Sequence, residues 1–256
     1  MHGHITYEQP IHESIRIYLR LERLHQQFQT YNHCNRASDS RVALEALLKI
    51  IDIADRPDLK PKLIQHLQQT INRLTKMAAH PQIDLKRLNS IKSDIQTQLY
   101  LLNQAGTTRL AETVKEHPFL KAMRHMVNSP QGLCEVNVPA LRHWLALPSG
   151  QQHLSLLHWY RPLENLYKSI ALFLELTRQS ATPLSITAQH FYQQSLHTQN
   201  TYTLIQIYIP NSYPIYPEIS LSKHRLAIRF HPDTCPLQRT TNVPTTVQFL
   251  LGMCQL

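Results

Sequence analysis

The spacing of apolar residues changes character near Ser180. Before that point apolar residues recur every three or four positions, which is typical of amphipathic helices. After it they alternate with polar residues, as in half-buried strands. The pattern predicts an α+β fold: a mainly helical domain with a long antiparallel helical hairpin, plus a smaller antiparallel β-domain. We expect the helical domain to comprise 10–131 and 139–182, and the β-domain to comprise 1–9, 132–138 and 183–256.

The helical hairpin is the longest regular pattern in the chain. Apolar residues at three- and four-residue intervals over 58–79 and 84–103 predict two helices that pack side by side. The apolar seam between them is either fully buried within the hairpin or partly exposed and available to a second copy of the chain. Asp39 or Ser40 is expected to cap the preceding helix, which Pro57 ends. Other helices are expected over 13–30, over 41–55, over 111–127 with an interruption near Pro118, from Pro139, and over 160–179.

Strands are predicted where the alternation has a period of two. A first strand runs over 4–8 and stops at Pro10, and another is expected over 132–138. Beyond residue 183, the first strand is expected at 191–193. Later strands are expected over 202–209, on both sides of the polar turn 222–224, and over 246–251.

The strand after this turn carries two arginines on one face. Leu226, Ile228 and Phe230 point to one side, so Arg225 and Arg229 point to the other. At roughly 3.3 Å per residue, their guanidinium groups lie about 13 Å apart along the strand. Guanidinium groups pair with carboxylate oxygens two at a time, so this face suits an acidic peptide or a carboxylate. An ordinary solvated strand face is the alternative that the stretch alone leaves open.

Other basic residues have the same two interpretations. Arg16 and Arg20, followed by Arg23, form a ridge on the first helix, which is either a binding surface or a solvated face. Arg56 precedes Pro57 and is expected to project from a helix end, where it could also interact with the helix dipole.

Charge and motifs favour a binding protein. The net charge of +9 and isoelectric point near 9.5 suit an acidic partner, which could be nucleic acid, anionic lipid or an acidic protein. The sequence has five glycines and lacks phosphate-binding, nucleophile-elbow or paired-carboxylate motifs, so we expect no enzyme and no cofactor. Neither the sixteen histidines nor the four cysteines have zinc-site spacing, so we expect no metal. Without a long apolar run or a signal sequence, the chain is expected to be cytoplasmic.

Nucleic-acid binding is the alternative function. It would explain the basic character, but the sequence lacks a helix-turn-helix signal, aromatic and basic residues interleaved on a strand, and a zinc finger. Membrane association is less favoured, because the basic helix faces lack exposed aromatic anchors.

Three segments of this chain resemble one protein family. They are Tyr216-Pro217-Glu218-Ile219-Ser220 with Lys223, Arg225 and Ala227-Ile228-Arg229-Phe230; Tyr7-Glu8-Gln9-Pro10-Ile11 with Arg16, Leu19-Arg20 and Glu22; and Leu133-Cys134-Glu135-Val136-Asn137-Val138-Pro139-Ala140-Leu141 with Trp144-Leu145 and Leu147-Pro148. These segments resemble the ZapD family, bacterial cell-division proteins that bind the tail of FtsZ. The resemblance is weak over 79–116 and after Pro232.

The resemblance implies a function and a set of partner-binding residues. The chain is expected to bind the acidic C-terminal tail of FtsZ and to cross-link its filaments at the mid-cell division ring, as a homodimer formed through the helical domain. Arg56 matches a basic residue that the family uses for the tail, and Pro118 stands where the family often has a basic residue. The hypothesis is a cleft between the two domains lined by Arg56, Arg225 and Arg229, with Arg16, Arg20 and Arg142 nearby.

Overall fold

The computed structural model describes residues 3–33, 36–78, 83–104, 111–127, 132–133, 136–196, 202–222, 224–232 and 246–255. Contacts divide the chain into two units. The β unit contains Met1–Arg16 and Glu175–Leu256, and the helical unit contains Ile17–Leu174. The sequence Gly106-Thr107-Thr108 predicts a loop, and these three residues lie outside the described part of the chain.

The helices follow the predicted order with one addition. They are α1 (Glu13–Asn32), α2 (Ala37–Ala54), α3 (Leu59–Met77), α4 (Leu85–Gln104), α5 (Glu112–Lys115), α6 (Pro118–Val127), α7 (Pro139–Leu145), α8 (Ser149–Tyr160) and α9 (Glu164–Gln179), with a 3-10 turn at Arg161–Leu163. The boundary between the units falls inside α1 and α9. Among the residues that the structure describes, no helix is both long and apolar enough to cross a membrane.

Prolines interrupt the helices where the sequence predicted. The helix α2 ends just before Pro57, and the helical stretch before Pro118 is divided into α5 and α6. The capping prediction for α2 was wrong. Its N-cap is Arg36, which has extended backbone angles, and Asp39 lies in the first turn. A carboxylate in that turn still stabilises the positive end of the helix dipole.

The predicted hairpin is present, and α3 packs against α4. Leu63 and Leu67 are fully buried, as is Ile95 on α4. Burial decreases towards the end of α3 and the start of α4, where Met77 is 47% exposed and Leu85 is 53% exposed. The apolar spacing predicts a buried stripe on α3, of which Leu67 is buried, while Ile64, Ile71, Leu74 and Ala78 are half-buried.

The helix α8 was missed because a polar residue interrupts its buried stripe. Gln152 is 2% exposed and lies among the buried positions Leu156, Trp159 and Tyr160. Its Nε2 donates hydrogen bonds to the backbone oxygens of residues 145 and 147, at 2.9 and 2.7 Å, at the C-terminal end of α7. Gln152 thus satisfies carbonyl groups that the end of a helix leaves without partners.

The strand predicted over 132–138 was wrong. The described residues of this segment form a bend and a turn in the part of the chain assigned to the helical unit. Gly132 has a φ of 63°, which starts a turn rather than a strand. Leu133 and Val138 are buried while Val136 is 87% exposed, so burial does not alternate. The carbonyl oxygen of Leu133 accepts a hydrogen bond from Arg41 of α2, which ties this segment to the helices.

The strands form two antiparallel sheets. One sheet has the order β1-β4-β7-β2, and the other has the order β3-β6-β5. The strand β2 precedes the one that we expected to be first, and its exposed Leu184 gives it a weak apolar pattern. The strands are β1 (His4–Pro10), β2 (Leu184–Ala188), β3 (Phe191–Ser195), β4 (Leu204–Pro210), β5 (Ile215–Ser222), β6 (Arg225–Pro232) and β7 (Val247–Cys254).

One apolar core lies between the sheets. Leu226, Ile228 and Phe230 of β6 are buried in it, as their alternation predicted. Phe230 contacts Phe249 of β7, with ring centroids 5.1 Å apart. Because this face of β6 is buried, the opposite face carries the arginines outward.

A polar cluster lies in the β unit. The carboxylate of Glu8 accepts two hydrogen bonds from Arg178, each 2.8 Å, and one of 3.0 Å from Gln206 Nε2. Gln206 Oε1 in turn accepts a hydrogen bond from the hydroxyl of Tyr208. Burial raises the pKa of Glu8, but the hydrogen bonds and charge of Arg178 and the hydrogen bond from Gln206 outweigh it, so the pKa is lowered. Burial raises the pKa of the neighbouring Cys254 thiol to about 12, so it stays protonated and weakly reactive.

Candidate functional site

The outward face of the three-stranded sheet presents a defined arrangement of side chains. We call this face the arginine face. It consists of three rows across β3, β6 and β5, set by the strand register: Ser195, Arg225 and Ser222; Gln193, Ala227 and Ser220; and Phe191, Arg229 and Glu218.

The two guanidinium groups stand at either end of a low floor. Arg225 and Arg229 are exposed, and Ala227 lies between them in the middle row. Neither side chain forms an ion pair with any residue in the described part of the chain. Two unpaired cations at fixed spacing over small side chains form a surface on which carboxylates can dock.

A side-chain contact beside Arg229 keeps the Glu218 carboxylate from pairing with that arginine. Glu218 lies opposite Arg229 in the strand register, but its Oε2 contacts His231 Nε2 at 2.9 Å. The ring of His231 stacks on Tyr216, with centroids 5.5 Å apart. The Glu218 carboxylate is therefore directed along the sheet to His231, and Arg229 keeps its hydrogen-bond donors.

The β3 edge of the arginine face carries one large apolar side chain, Phe191. Phe191 is paired with Arg229 in the register and is 49% exposed. A ligand whose carboxylate contacts Arg229 can therefore also place an apolar group on Phe191 and gain by covering it.

Arg56 is engaged in a local ion pair. It follows the end of α2, and its Nε and Nη2 lie 3.3 and 3.4 Å from the two carboxylate oxygens of Asp58. Lys62 Nζ approaches the same carboxylate at 2.9 Å. Hydrogen bonds from Lys62 and then Arg56 lower the pKa of Asp58 to about 2. Asp58 is thus ionised at neutral pH and competes with any acidic ligand for Arg56.

The other predicted basic residues are exposed on helices. Arg16 and Arg20 lie one turn apart on α1, and Arg16 pairs with Glu13 at 3.0 Å. Arg142 is exposed on α7. Arg56, Arg20 and Arg142 belong to the helical unit, whereas Arg225, Arg229 and Arg16 belong to the β unit. The structure brings Arg225 and Arg229 onto one face; a cleft that joins them to Arg56 stays a prediction.

Sequence reasoning missed Phe191, Glu218 and His231 as neighbours of Arg229. Their proximity depends on the register of β3, β6 and β5, which local alternation does not specify. The pairing of Ser222 with Arg225 places Glu218 opposite Arg229, because residues on the two antiparallel strands of a hairpin pair in step. No comparable signal identifies Phe191.

Comparison with known proteins identifies the family. The family model described as the cell division protein ZapD matches residues 19–229. The cell division protein ZapD of Coxiella burnetii (strain RSA 331 / Henzerling II) is 36% identical over 254 residues, covering 98% of each chain. The chain belongs to the ZapD family.

Other ZapD relatives align over nearly the full length. The protein of Cupriavidus taiwanensis is 32% identical, over 98% of this chain and 99% of its own. That of Photorhabdus laumondii is 27% identical, over 98% of this chain and 97% of its own. The ZapD model runs from α1 into β6 and so includes Arg20, Arg56, Arg142, Arg225 and Arg229. Family membership assigns the chain a role in cell division and confirms the resemblance seen in the sequence.

Proposed function

We propose that this chain binds the acidic C-terminal tail of FtsZ through the arginine face and, as a homodimer, cross-links FtsZ filaments at the mid-cell division ring. Membership of the ZapD family supports this function, as does the net charge of +9, which suits an acidic partner. The observation that carries it is the arginine face, where Arg225 and Arg229 are exposed without an ion-pair partner among the described residues.

The geometry of the arginine face suggests how a tail peptide lies on it. Arg225 and Arg229 lie four positions apart on β6, a distance of about 13 Å along the strand. An extended peptide parallel to β6 repeats at nearly the same rise, so acidic residues at positions i and i+4 reach both arginines. The side chain at i+2 then faces Ala227. An apolar residue at i+6, two positions beyond the second acid, points to the same side of the peptide and can rest on Phe191.

Arg56, Arg16, Arg20 and Arg142 are the further contacts in this proposal. Arg56 differs from the two strand arginines because Asp58 already occupies its donors. Arg56 contributes to tail binding only when a tail carboxylate displaces Asp58. This displacement breaks the exposed Arg56–Asp58 ion pair, which costs about 0.2–1 kcal/mol.

Cross-linking requires two copies of the chain, and the helical hairpin offers a surface for the second. Met77 and Leu85 are exposed where the seam of α3 and α4 is least buried, and Ile71, Leu74 and Ile91 are half-covered. A second copy that covers these residues removes apolar area from water, at about 25 cal/mol per Å². This gives the homodimer a physical reason to form through the helical unit.

The test is calorimetric titration of the FtsZ tail peptide into the protein. Arg225→Glu and Arg229→Glu should each lower affinity by at least about tenfold, since a charged hydrogen bond contributes about 1.5–3 kcal/mol and reversal adds repulsion. The melting temperature should not change, because both side chains are exposed. Arg87→Glu, which reverses an exposed arginine on α4, is the matched control and should bind normally. Normal binding by both strand variants would refute the site.

The nucleic-acid alternative is tested with generic DNA across a series of salt concentrations. A protein that uses its basic surface for DNA loses affinity steeply as salt rises, since each neutralised phosphate releases counterions. Tight DNA binding with a steep slope and no binding of the tail peptide would replace the proposed function.

A further inference from the structure

A pocket in the helical unit lies outside the arginine face. It has a volume of about 450 Å³ and is formed by α1, α8, the turn after α8 and α9. Its walls include the rings of His25, Tyr160 and Tyr167, together with Leu157. Small-molecule sites have this range of volume and this combination of aromatic walls with a few polar groups.

The aromatic wall contains a neutral histidine that accepts a hydrogen bond from a tyrosine hydroxyl. The Tyr160 hydroxyl lies 2.6 Å from His25 Nδ1. Burial lowers the pKa of His25 to about 4, and burial raises the pKa of Tyr160. At neutral pH the hydroxyl therefore donates to Nδ1, and the imidazole proton is on Nε2. The His25–Tyr160 pair is therefore uncharged, and this part of the wall is a neutral aromatic surface.

The mouth of the pocket carries a cation that is not engaged in an ion pair. Lys168 Nζ contacts Glu164 at 2.8 Å, so these two charges offset each other. Arg161 also lines the pocket, and its side chain makes no ion pair with any residue that the structure describes. The mouth therefore has a net positive charge and a planar group with several donors, which suits a carboxylate.

Stacking between side chains holds the aromatic rings of the pocket wall in place before any ligand binds. The rings of His25 and Tyr167 lie face to face, with centroids 3.3 Å apart, and Tyr160 stacks on buried Phe28 at 4.7 Å. A flat ligand thus meets aromatic surface that is already ordered, and little side-chain entropy is lost on binding.

We infer that this pocket is a binding site for an aromatic carboxylate, with its ring against Tyr160, Tyr167 and Leu157 and its carboxylate on Arg161. A free aromatic acid and the C-terminal aromatic residue of a peptide present the same chemistry. The site is independent of the arginine face, because every residue that forms it belongs to the helical unit.

The experiment titrates the full chain with indole-3-acetate in ligand-detected nuclear magnetic resonance. We expect saturation transfer to the indole ring and a dissociation constant on the order of 1 mM or lower, as befits a ligand of this size. Indole-3-acetamide, which lacks the charge, should bind about tenfold more weakly. The tripeptide Gly-Gly-Phe with a free carboxylate distinguishes the two sources: if it also binds, a peptide end is accepted, and if only indole-3-acetate binds, the ligand is a free acid.

Two variants separate the pocket from non-specific binding. Arg161→Met keeps the alkyl chain and should weaken indole-3-acetate about tenfold, while Arg87→Met, the same change at an exposed position on α4, should not. Gln29→Trp fills the pocket from a half-exposed position and should abolish saturation transfer without changing the melting temperature. No binding by the unmodified protein, or equal binding by it and by Arg161→Met and Gln29→Trp, would overturn the inference.

Discussion

The Glu8–Arg178 pair gives the sharpest test of the fold, because its contribution to stability should depend on pH in a defined direction. The two side chains are 20% and 28% exposed and share two hydrogen bonds of 2.8 Å. Removing one partner of a buried pair costs about 3–5 kcal/mol. Partial exposure and the remaining bond from Gln206 reduce this cost. We therefore expect Arg178→Met to lower the free energy of unfolding by about 2–3 kcal/mol at pH 7.

Protonation of Glu8 limits this loss. Without Arg178, burial is opposed only by the hydrogen bond from Gln206, so the pKa of Glu8 rises and the carboxyl can be neutralised. Protonating a glutamate whose unfolded-state pKa is about 4.3 costs about 3.7 kcal/mol at pH 7 and about 1 kcal/mol at pH 5. In the unmodified protein the pKa is lowered, so the contribution is present above the ordinary value and is lost as pH falls through the folded-state value. The destabilisation by Arg178→Met should therefore be smaller at pH 5 than at pH 7, and it should disappear only as pH falls through the lowered folded-state pKa of Glu8.

The assay is urea unfolding at both pH values, followed by circular dichroism. Trp144 and Trp159 both lie in the helical unit, so tryptophan fluorescence does not report directly on the substituted β unit. The combination of Glu8→Gln with Arg178→Met removes both charges and should recover part of the stability with little pH dependence. An equal loss for Arg178→Met at pH 7 and pH 5 would show that the pair does not act through ionised Glu8.

Three further substitutions test other parts of the molecule. Arg124→Met removes a half-buried ion pair of 2.6 Å with Asp52 and should lower the free energy of unfolding by about 1–3 kcal/mol. Tryptophan fluorescence measures this change, and a loss below about 0.5 kcal/mol would mean that the pair is not stabilising. Met77→Glu with Leu85→Glu should convert a dimer to a monomer in light scattering, and a persistent dimer would exclude this surface. Asp58→Asn releases Arg56 and should raise affinity for the tail peptide about two- to fivefold in calorimetry; unchanged affinity would exclude Arg56 from the site.

Much of the fold could be predicted because its signals are local. Leu226, Ile228 and Phe230 identify the buried face of β6 by alternation alone, and the prolines mark helix ends through backbone geometry. Two of the failures, the strand predicted over 132–138 and the missed helix α8, have a related cause. The 132–138 segment alternates in composition but turns at Gly132, and α8 is helical but buries Gln152. In both segments tertiary hydrogen bonds, from Arg41 and from Gln152, decide the structure against the pattern.

The candidate site could be predicted in part. The shared face of Arg225 and Arg229 follows from the period of a strand, and the structure confirms it. The interaction of Arg56 with Asp58 and Lys62 depends on side-chain conformation after a helix end, which spacing does not specify. Phe191 comes from a separate strand, and only the sheet register reveals it as a neighbour of Arg229.

In the proposed function, the arginine face offers only two charged contacts to the FtsZ tail, so a single site binds it weakly. Two charged contacts of about 1.5–3 kcal/mol each give a gross 3–6 kcal/mol, which corresponds to a dissociation constant in the range from millimolar to tens of micromolar. One such site holds a filament only briefly. A dimer presents two sites to an array of tails, and the second contact then forms at an effective concentration of about millimolar, which makes bridging strong without further contacts. A monomeric variant should therefore bind the tail peptide normally and fail to bundle filaments. Bundling by a monomer would refute bridging through paired arginine faces.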